Sequence, residues 1–195
     1  MTAFERIESF ASRPAGSVTM AGWAAAEAIA LPVVPDVGLC LLALAAPRMV
    51  VRLFLVVVLG ALAGTLVLAG LASSAPDAAH AMLLALPGID AAMLVQVDAA
   101  LATDGVAGFA QVGPGPPLKA YTVEWVGHGG DLPGLLVGAI LNRLTRIGPV
   151  VMVAAVVGWG LGAWMRRRER PILVAYAVAW IAFYAIYLAG GRGLT

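Results

Sequence analysis

The stretch Gly113-Pro-Gly-Pro-Pro-Leu-Lys-Ala-Tyr-Thr-Val-Glu124 constrains how the rest of the chain can be arranged. Its first five positions hold three prolines and two glycines, and long apolar segments lie on both sides. Proline lacks the backbone N–H and clashes with the preceding helical turn, so a helix ends at this cluster. Broken backbone at membrane depth is tolerated only where it is buried in protein or lines a wet cavity. The stretch therefore predicts a helix break enclosed by the protein.

The composition indicates an integral membrane protein. Hydrophobic residues make up 62% of the 195 residues and charged residues 12%, and the mean hydropathy is +0.94. Soluble domains carry about 25% charged residues. The length suits one membrane domain, residues 1–195, and the net charge of +1 with no basic face predicts no nucleic-acid partner.

A second break has the same design near the N-terminus. The apolar run from residue 18 to Leu31 contains Glu27 and meets Pro32, and a second run extends from 37 to 46 before Pro47. Each run is shorter than the roughly 20 residues that span a bilayer. Two prolines and Asp36 between the runs predict a re-entrant hairpin over residues 18–47. One kinked spanning helix is the alternative.

The predicted fold is an all-α membrane protein with two opposed re-entrant hairpins, about three spanning helices and short interfacial helices. The segments are an amphipathic N-terminus (1–17), the first hairpin (18–47), a spanning helix (48–73), interfacial or short helices (74–105), the second hairpin (106–128), an amphipathic then spanning helix (131–165) and a last spanning helix (171–189). Gly60 and Gly64 form a small-xxx-small pattern that favours close helix packing. The basic run Arg166–Arg170 predicts a cytoplasmic loop, which would place residues 190–195 outside.

Two motifs resemble the DedA (VTT-domain, SNARE-associated-type) membrane family. The first is Gly113-Pro-Gly-Pro-Pro-Leu-Lys-Ala-Tyr-Thr-Val, followed by an apolar segment that ends in Asn-Arg143-Leu-Thr-Arg146. The second is Glu27 several residues before Pro32-Val-Val-Pro-Asp36. The similarity covers residues 20–188, although residues 73–112 match nothing in the family pattern. Pro47-Arg48 also stands where many members carry a glycine-rich stretch.

The resemblance implies a multi-pass transporter of the inner cell membrane. Such a protein flips or scrambles a lipid phosphate, such as a polyprenyl phosphate carrier or a phospholipid, and depends on the proton gradient. A structural or assembly protein without transport activity is one alternative, and an integral-membrane enzyme acting on lipid phosphates is another. The sequence leaves open whether the protein forms a homo-oligomer.

Charged side chains near the breaks are the candidates for this chemistry, because burying an ion in hydrocarbon is costly. The proton-transfer candidates are the carboxylates Glu27, Asp36 and Glu124. The phosphate-binding candidates are the cations Lys119, Arg48, Arg52, Arg143 and Arg146, since arginine can grip a phosphate with two parallel hydrogen bonds.

Each candidate also has a structural interpretation. Glu27 and Glu124 could lie at the interface, Asp36 could cap a helix, and Lys119 could extend to the headgroups. The arginines could be topology signals. His80 is isolated in the sequence and His128 lies in a glycine-rich segment, so no metal site, catalytic group or cofactor is predicted. The aromatic residues of the last helix are interpreted as packing residues.

Overall fold

The computed structural model describes the backbone of residues 1–110 and 115–190, with side chains through Ile186. Helix accounts for 86% of the structure, and the described residues include no strand, so the all-α prediction is confirmed. The α-helices of the described residues are α1 (Ala3–Ser12), α2 (Pro14–Ile29), α3 (Asp36–Ala45), α4 (Val50–Ser74), α5 (Pro76–Ala85), α6 (Ala91–Asp104), α7 (Leu118–Gly127), α8 (Leu132–Arg146), α9 (Gly148–Arg167) and α10 (Glu169–Gly190).

Four segments of the described chain are long and apolar enough to cross a membrane. They are Pro47–Ser74, Ala91–Phe109, Gly148–Arg167 and Glu169–Ile186. The sequence predicted about three spanning helices, and it assigned residues 74–105, which include most of the second segment, to interfacial or short helices. That segment is not one straight helix. Gly105, at φ 55°, ends α6, and Gly108 then packs back against the carbonyl of Ala100.

The small-residue pattern of α4 packs against α2. A Cβ atom placed on Gly60 would lie 2.2 Å from the carbonyl oxygen of Ala21, and one on Gly64 would lie 2.2 Å from that of Ala25. Only glycine permits such contact, so the close packing predicted from this pattern takes place within the chain. It holds α2 against the centre of the protein, where Glu27 is buried.

The short helices α3 and α7 are packed inside the protein. The carbonyl of Leu44 in α3 lies against Gly158 of α9, where an added Cβ would be 2.6 Å away. Residues 118–123 of α7 are all buried. A helix that is buried on every side belongs to the core of the molecule, and this one contacts α4, α5, α6 and α8.

The helix before the first break begins earlier than the predicted bound at residue 18. α2 begins at Pro14, because proline at the first helical turn gives up an N–H that has no helical partner. The helices on either side of the first break are α2, with 16 residues, and α3, with 10. The helix after the second break, α7, also has 10 residues. In the second break, residues 111–114 lie outside the described residues, as do 191–195 at the C-terminus.

Candidate functional site: a buried ion cluster at the two helix breaks

One cationic side chain joins the two helix breaks, and a second one holds the end of α8 against the second break. Lys119 Nζ, in the first turn of α7, donates a hydrogen bond to the Leu31 carbonyl at 2.7 Å. Arg146 Nη1, at the end of α8, donates to the Pro116 carbonyl at 3.0 Å. Carbonyls freed by a broken helix need such partners, because unpaired backbone groups are costly away from water.

Five charged side chains meet at this junction and are called the ion cluster: Glu27, Asp36, Lys119, Arg143 and Arg146. All of them except Arg143 line a cavity of about 230 Å³. Arg143 is instead bound to Glu27. The cluster therefore combines five of the eight predicted site residues in one place.

The centre of the ion cluster is the carboxylate of Glu27. Arg143 Nη2 donates a hydrogen bond to Glu27 Oε2, and Lys119 Nζ lies 4.0 Å from Glu27 Oε1. The three side chains are each only 3% exposed. A buried charge needs a partner of opposite sign, and this carboxylate has two.

The position of Arg143 is set by its neighbours on α8. Asn142 Nδ2 donates to the Phe109 carbonyl at 3.0 Å. Gly138 packs closely against the Phe109 ring, where an added Cβ would be 2.6 Å from a ring carbon. These contacts fix the helix and direct Arg143 toward Glu27. Arg143 Nε has no hydrogen-bond partner among the described residues.

Asp36 is the carboxylate with spare hydrogen-bonding capacity. It is the first residue of α3, whose N-cap residue is Pro35, so Asp36 is not the N-cap. Its Oδ1 is buried and lacks a partner in the described part of the chain. The carboxylate interacts electrostatically with Arg143, Arg146 and Glu27.

The ion cluster carries an excess of positive charge. Three cations and two carboxylates leave one positive charge when both carboxylates are ionised. Lys119 and Arg146 each use one donor on a backbone carbonyl, whereas an ammonium has three N–H donors and a guanidinium five. Both cations can therefore still donate to an anion in the cavity.

Aromatic side chains of α10 also line the cavity and are called the aromatic wall. Trp180, Phe183 and Tyr184 line it, and their spacing places them on one helix face. The backbone N–H of Val34, in the first break, donates to the Tyr184 hydroxyl at 2.8 Å. The interpretation of these aromatics as packing residues was therefore incomplete, since they also border the ion cluster.

The other three predicted site residues lie elsewhere. Arg52 is exposed and donates to Ser17 Oγ at 2.8 Å and to the Ala11 carbonyl at 3.3 Å. Arg48, in a short 3-10 helix before α4, is also exposed. Glu124 pairs with His80 at 2.9 Å between Oε1 and Nε2. The structure does not bring these residues to the cavity.

Neither histidine was predicted to have a partner for metal binding. The structure places each of them beside a carboxylate. His80 of α5 pairs with Glu124 of α7. His128, which follows α7, pairs with Asp98 of α6 at 2.5 Å. These partners are 44 and 30 positions apart in the chain, so no local spacing signals them.

No family model, curated protein or solved structure matches the chain. The functional interpretation therefore depends on the geometry of the ion cluster and on the two sequence motifs.

Proposed function

We propose that this chain is a DedA-type membrane transporter that moves a lipid phosphate across the bilayer. The observation that carries the proposal is the ion cluster itself. Its charges are buried or half-buried, have a positive excess, lie where the two helix breaks meet, and border a cavity that aromatic side chains also line. Transporters build substrate sites from broken helices near the middle of the membrane. A site that is cationic on one side and apolar on the other suits an anionic headgroup with a hydrocarbon tail.

Lys119 and Arg146 are the phosphate ligands in this proposal. Both line the cavity, and both retain N–H donors after binding a backbone carbonyl. A guanidinium can form two parallel hydrogen bonds with phosphate oxygens, and a nearby ammonium adds a point charge. The aromatic wall of α10 accommodates the first part of the tail.

Glu27 and Asp36 are the proton-binding groups. The ionised Glu27 carboxylate holds the Arg143 guanidinium in a salt bridge. Protonation of Glu27 removes one negative charge from the cluster and releases the Arg143 guanidinium to face the phosphate. Protonation and phosphate binding then favour each other, because binding couplings are reciprocal. This coupling would allow the proton gradient to drive lipid movement.

Contacts between hairpin ends support two re-entrant hairpins. Arg52, just after the first hairpin, bonds Ser17, just before it. A kinked spanning helix over residues 18–47 would place its two ends on opposite faces. At the second hairpin, an added Cβ on Gly134 would lie 3.2 Å from the Val106 side chain, so its two ends also meet.

The hairpins are proposed to enter from opposite faces of the inner membrane. Arg166, in the basic loop, pairs with Glu8 of α1 at 3.0 Å, which associates the basic loop with the open end of the first hairpin. The positive-inside rule then makes that end cytoplasmic. Glu27 lies about 15 Å along α2 from Ser17, near the middle of a bilayer. α4 crosses from the cytoplasmic face to the other face, where α5 and the open end of the second hairpin lie.

The topology is tested by labelling single cysteines. Cys40 is the one cysteine of the chain and is replaced by alanine. Cysteines are then introduced at Ser17, Arg48 and His128 in separate proteins. A membrane-impermeant maleimide should label positions 17 and 48 from the cytoplasmic face and 128 from the other face. Labelling of 17 and 48 from opposite faces would contradict the first hairpin.

Transport is tested in vesicles reconstituted with the full chain. We expect movement of a fluorescent polyprenyl phosphate but not of the matching alcohol, and loss of movement in Arg146→Gln and Lys119→Gln. Arg48→Gln is the matched control, because Arg48 is exposed and outside the cavity. Equal rates for phosphate and alcohol, or an unchanged rate in Arg146→Gln, would refute the phosphate site.

A further inference from the structure

A second group of chemistry-bearing side chains lies at the other end of α7. It is called the His–carboxylate cluster and consists of His80, Asp98, Glu124 and His128. The ligand atoms of Asp98, Glu124 and His128 all lie within 4.8 Å of one another. His80 Nε2 is 2.9 Å from Glu124 Oε1, and His128 Nε2 is 2.5 Å from Asp98 Oδ1.

We propose that the His–carboxylate cluster binds one first-row divalent metal ion, with Zn²⁺ as the ion that it fits best. The set offers two imidazole nitrogens and two carboxylate oxygens, which are ordinary zinc ligands. Imidazole favours zinc over magnesium and calcium, which prefer an all-oxygen shell. Tetrahedral coordination, with bonds of about 2.0–2.1 Å, places ligand atoms about 3.3 Å apart. The two His–carboxylate separations, 2.9 and 2.5 Å, are shorter than this value, so these side chains would move slightly apart to admit the ion.

The two carboxylates of the cluster favour a nearby cation. With neutral imidazoles, Asp98 and Glu124 bring two negative charges within 4.8 Å of each other, and like charges at this distance repel. One divalent ion would neutralise both carboxylates and coordinate His128. His80 lies outside the group whose ligand atoms are within 4.8 Å of one another, and it would reach the ion by a change of rotamer. The side chain of Glu124 is 12% exposed, so its carboxylate is partly withheld from the water that would otherwise screen it.

The distribution of histidine in the chain is a separate observation. The sequence has two histidines, and both belong to this cluster although they come from different elements. His80 lies on α5, and His128 is the C-cap residue of α7. A third element, α6, supplies Asp98. A metal ion here would join three helices at one point, where the His80–Glu124 and His128–Asp98 pairs already connect them.

The cluster can adjust to an ion without moving the helices. The side chains of Asp98 and His128 are each 51% exposed and that of His80 is 43% exposed. Exposed side chains can change rotamer at small cost. The buried ligand, Glu124, is held on α7 and would set the position of the ion.

The experiment uses the full chain, purified without a histidine tag and treated with a chelator. Calorimetric titration with Zn²⁺ should give one ion per chain, and Co²⁺ should give the strong visible absorption of tetrahedral coordination. At about a hundredfold excess over the Kd, Zn²⁺ should raise the Tm by roughly 5–10 °C.

The variants His80→Gln, His128→Gln and Asp98→Asn should each weaken zinc binding at least about tenfold. Asp77→Asn on α5 and Asp104→Asn on α6 are matched controls, because both carboxylates are exposed and outside the cluster. Circular dichroism checks that each variant keeps its helix content. Absence of stoichiometric binding to the wild type, or wild-type affinity in the double variant His80→Gln/His128→Gln, would overturn the site. Loss of lipid transport would not, because the zinc titration does not depend on it.

Discussion

The two ends of α7 carry charged clusters of opposite character. At its start, Lys119 is 2% exposed and belongs to an ion cluster with more positive than negative side chains. At its end, Glu124 and His128 belong to a cluster with two carboxylates, in which His128 and Asp98 are half exposed. One helix of 10 residues therefore joins a site suited to an anion and a site suited to a cation.

The difference between these ends is mainly one of burial. An ion inside the protein must be compensated by a neighbour, so the geometry around Glu27 is tightly determined. Ion pairs near water contribute little and can reorganise. The buried end therefore depends on its internal pairs for stability, whereas the exposed end can exchange its internal pairs for an added ion.

Removing the central carboxylate should have the largest effect. Glu27→Gln leaves the buried Arg143 charge without its partner, and we expect a loss of about 3–5 kcal/mol in the free energy of unfolding. Unfolding in detergent, followed by tryptophan fluorescence, measures this loss. Glu8→Gln is the control, since its pair with Arg166 is about half exposed and should contribute about 1 kcal/mol or less.

A double variant separates pairing from packing. Glu27→Leu/Arg143→Leu removes both charges and should be less destabilised than Glu27→Gln alone. If the double variant is the less stable of the two, the buried pair is not the reason for the loss.

The next effect concerns phosphate affinity. Arg146→Gln removes a charged donor that lines the cavity, and hydrogen bonds to charged groups contribute about 1.5–3 kcal/mol. We expect polyprenyl phosphate to bind roughly 10–150-fold more weakly, with zinc affinity unchanged. Competition against a fluorescent lipid phosphate measures the Kd. Arg52→Gln, which removes contacts with Ser17 and Ala11, should leave that Kd unchanged, and an equal loss in both variants would contradict the assignment.

Much of the helix pattern could be predicted from the sequence. The bounds of α8 follow from local chemistry, because the Asp131 side chain accepts from the Gly134 N–H and Pro133 is tolerated in the first turn. The prediction of short helices over residues 74–105 is confirmed, since α5 and α6 occupy this segment and α6 ends at Asp104. What the sequence did not indicate is that residues 91–109 together are long and apolar enough to cross a membrane. Close packing through Gly60 and Gly64 was predicted, but its partner, α2, was not.

The ion cluster was partly predictable for a physical reason. Charges beside helix breaks are costly in a membrane, which singled out Glu27, Asp36 and Lys119. Their partners could not be assigned in the same way. Arg143 binds Glu27 across 116 positions of the chain, whereas the sequence suggested only that Arg143 is a phosphate-binding candidate. The same long range concealed the His–carboxylate cluster.

The glycine contacts of α4 should have a smaller effect, confined to the buried end. Gly64→Ala places a methyl group against the Ala25 backbone and should destabilise the protein by about 1–3 kcal/mol through overpacking. Because α2 carries Glu27, phosphate binding should weaken while zinc binding does not. Gly70→Ala is the control, because nothing lies within 4 Å of its added Cβ. If the two variants were equally stable, the α2–α4 contact would be excluded as a determinant of the protein's stability.

The smallest effect is expected at the exposed end in the absence of metal. His128→Gln breaks the pair with Asp98, but both side chains are 51% exposed, and such pairs contribute about 0.2–1 kcal/mol. In chelator-treated protein the variant should therefore unfold close to the wild type, and the remaining difference should shrink in high salt because the pair is screened. With saturating Zn²⁺ the gap should widen, since only the wild type retains its full set of ligands. Thermal unfolding of both proteins at two salt concentrations, with and without Zn²⁺, measures the stability difference under each of the four conditions. A large loss without metal would mean that His128 supports the fold directly, and the contrast between the two ends of α7 would then fail.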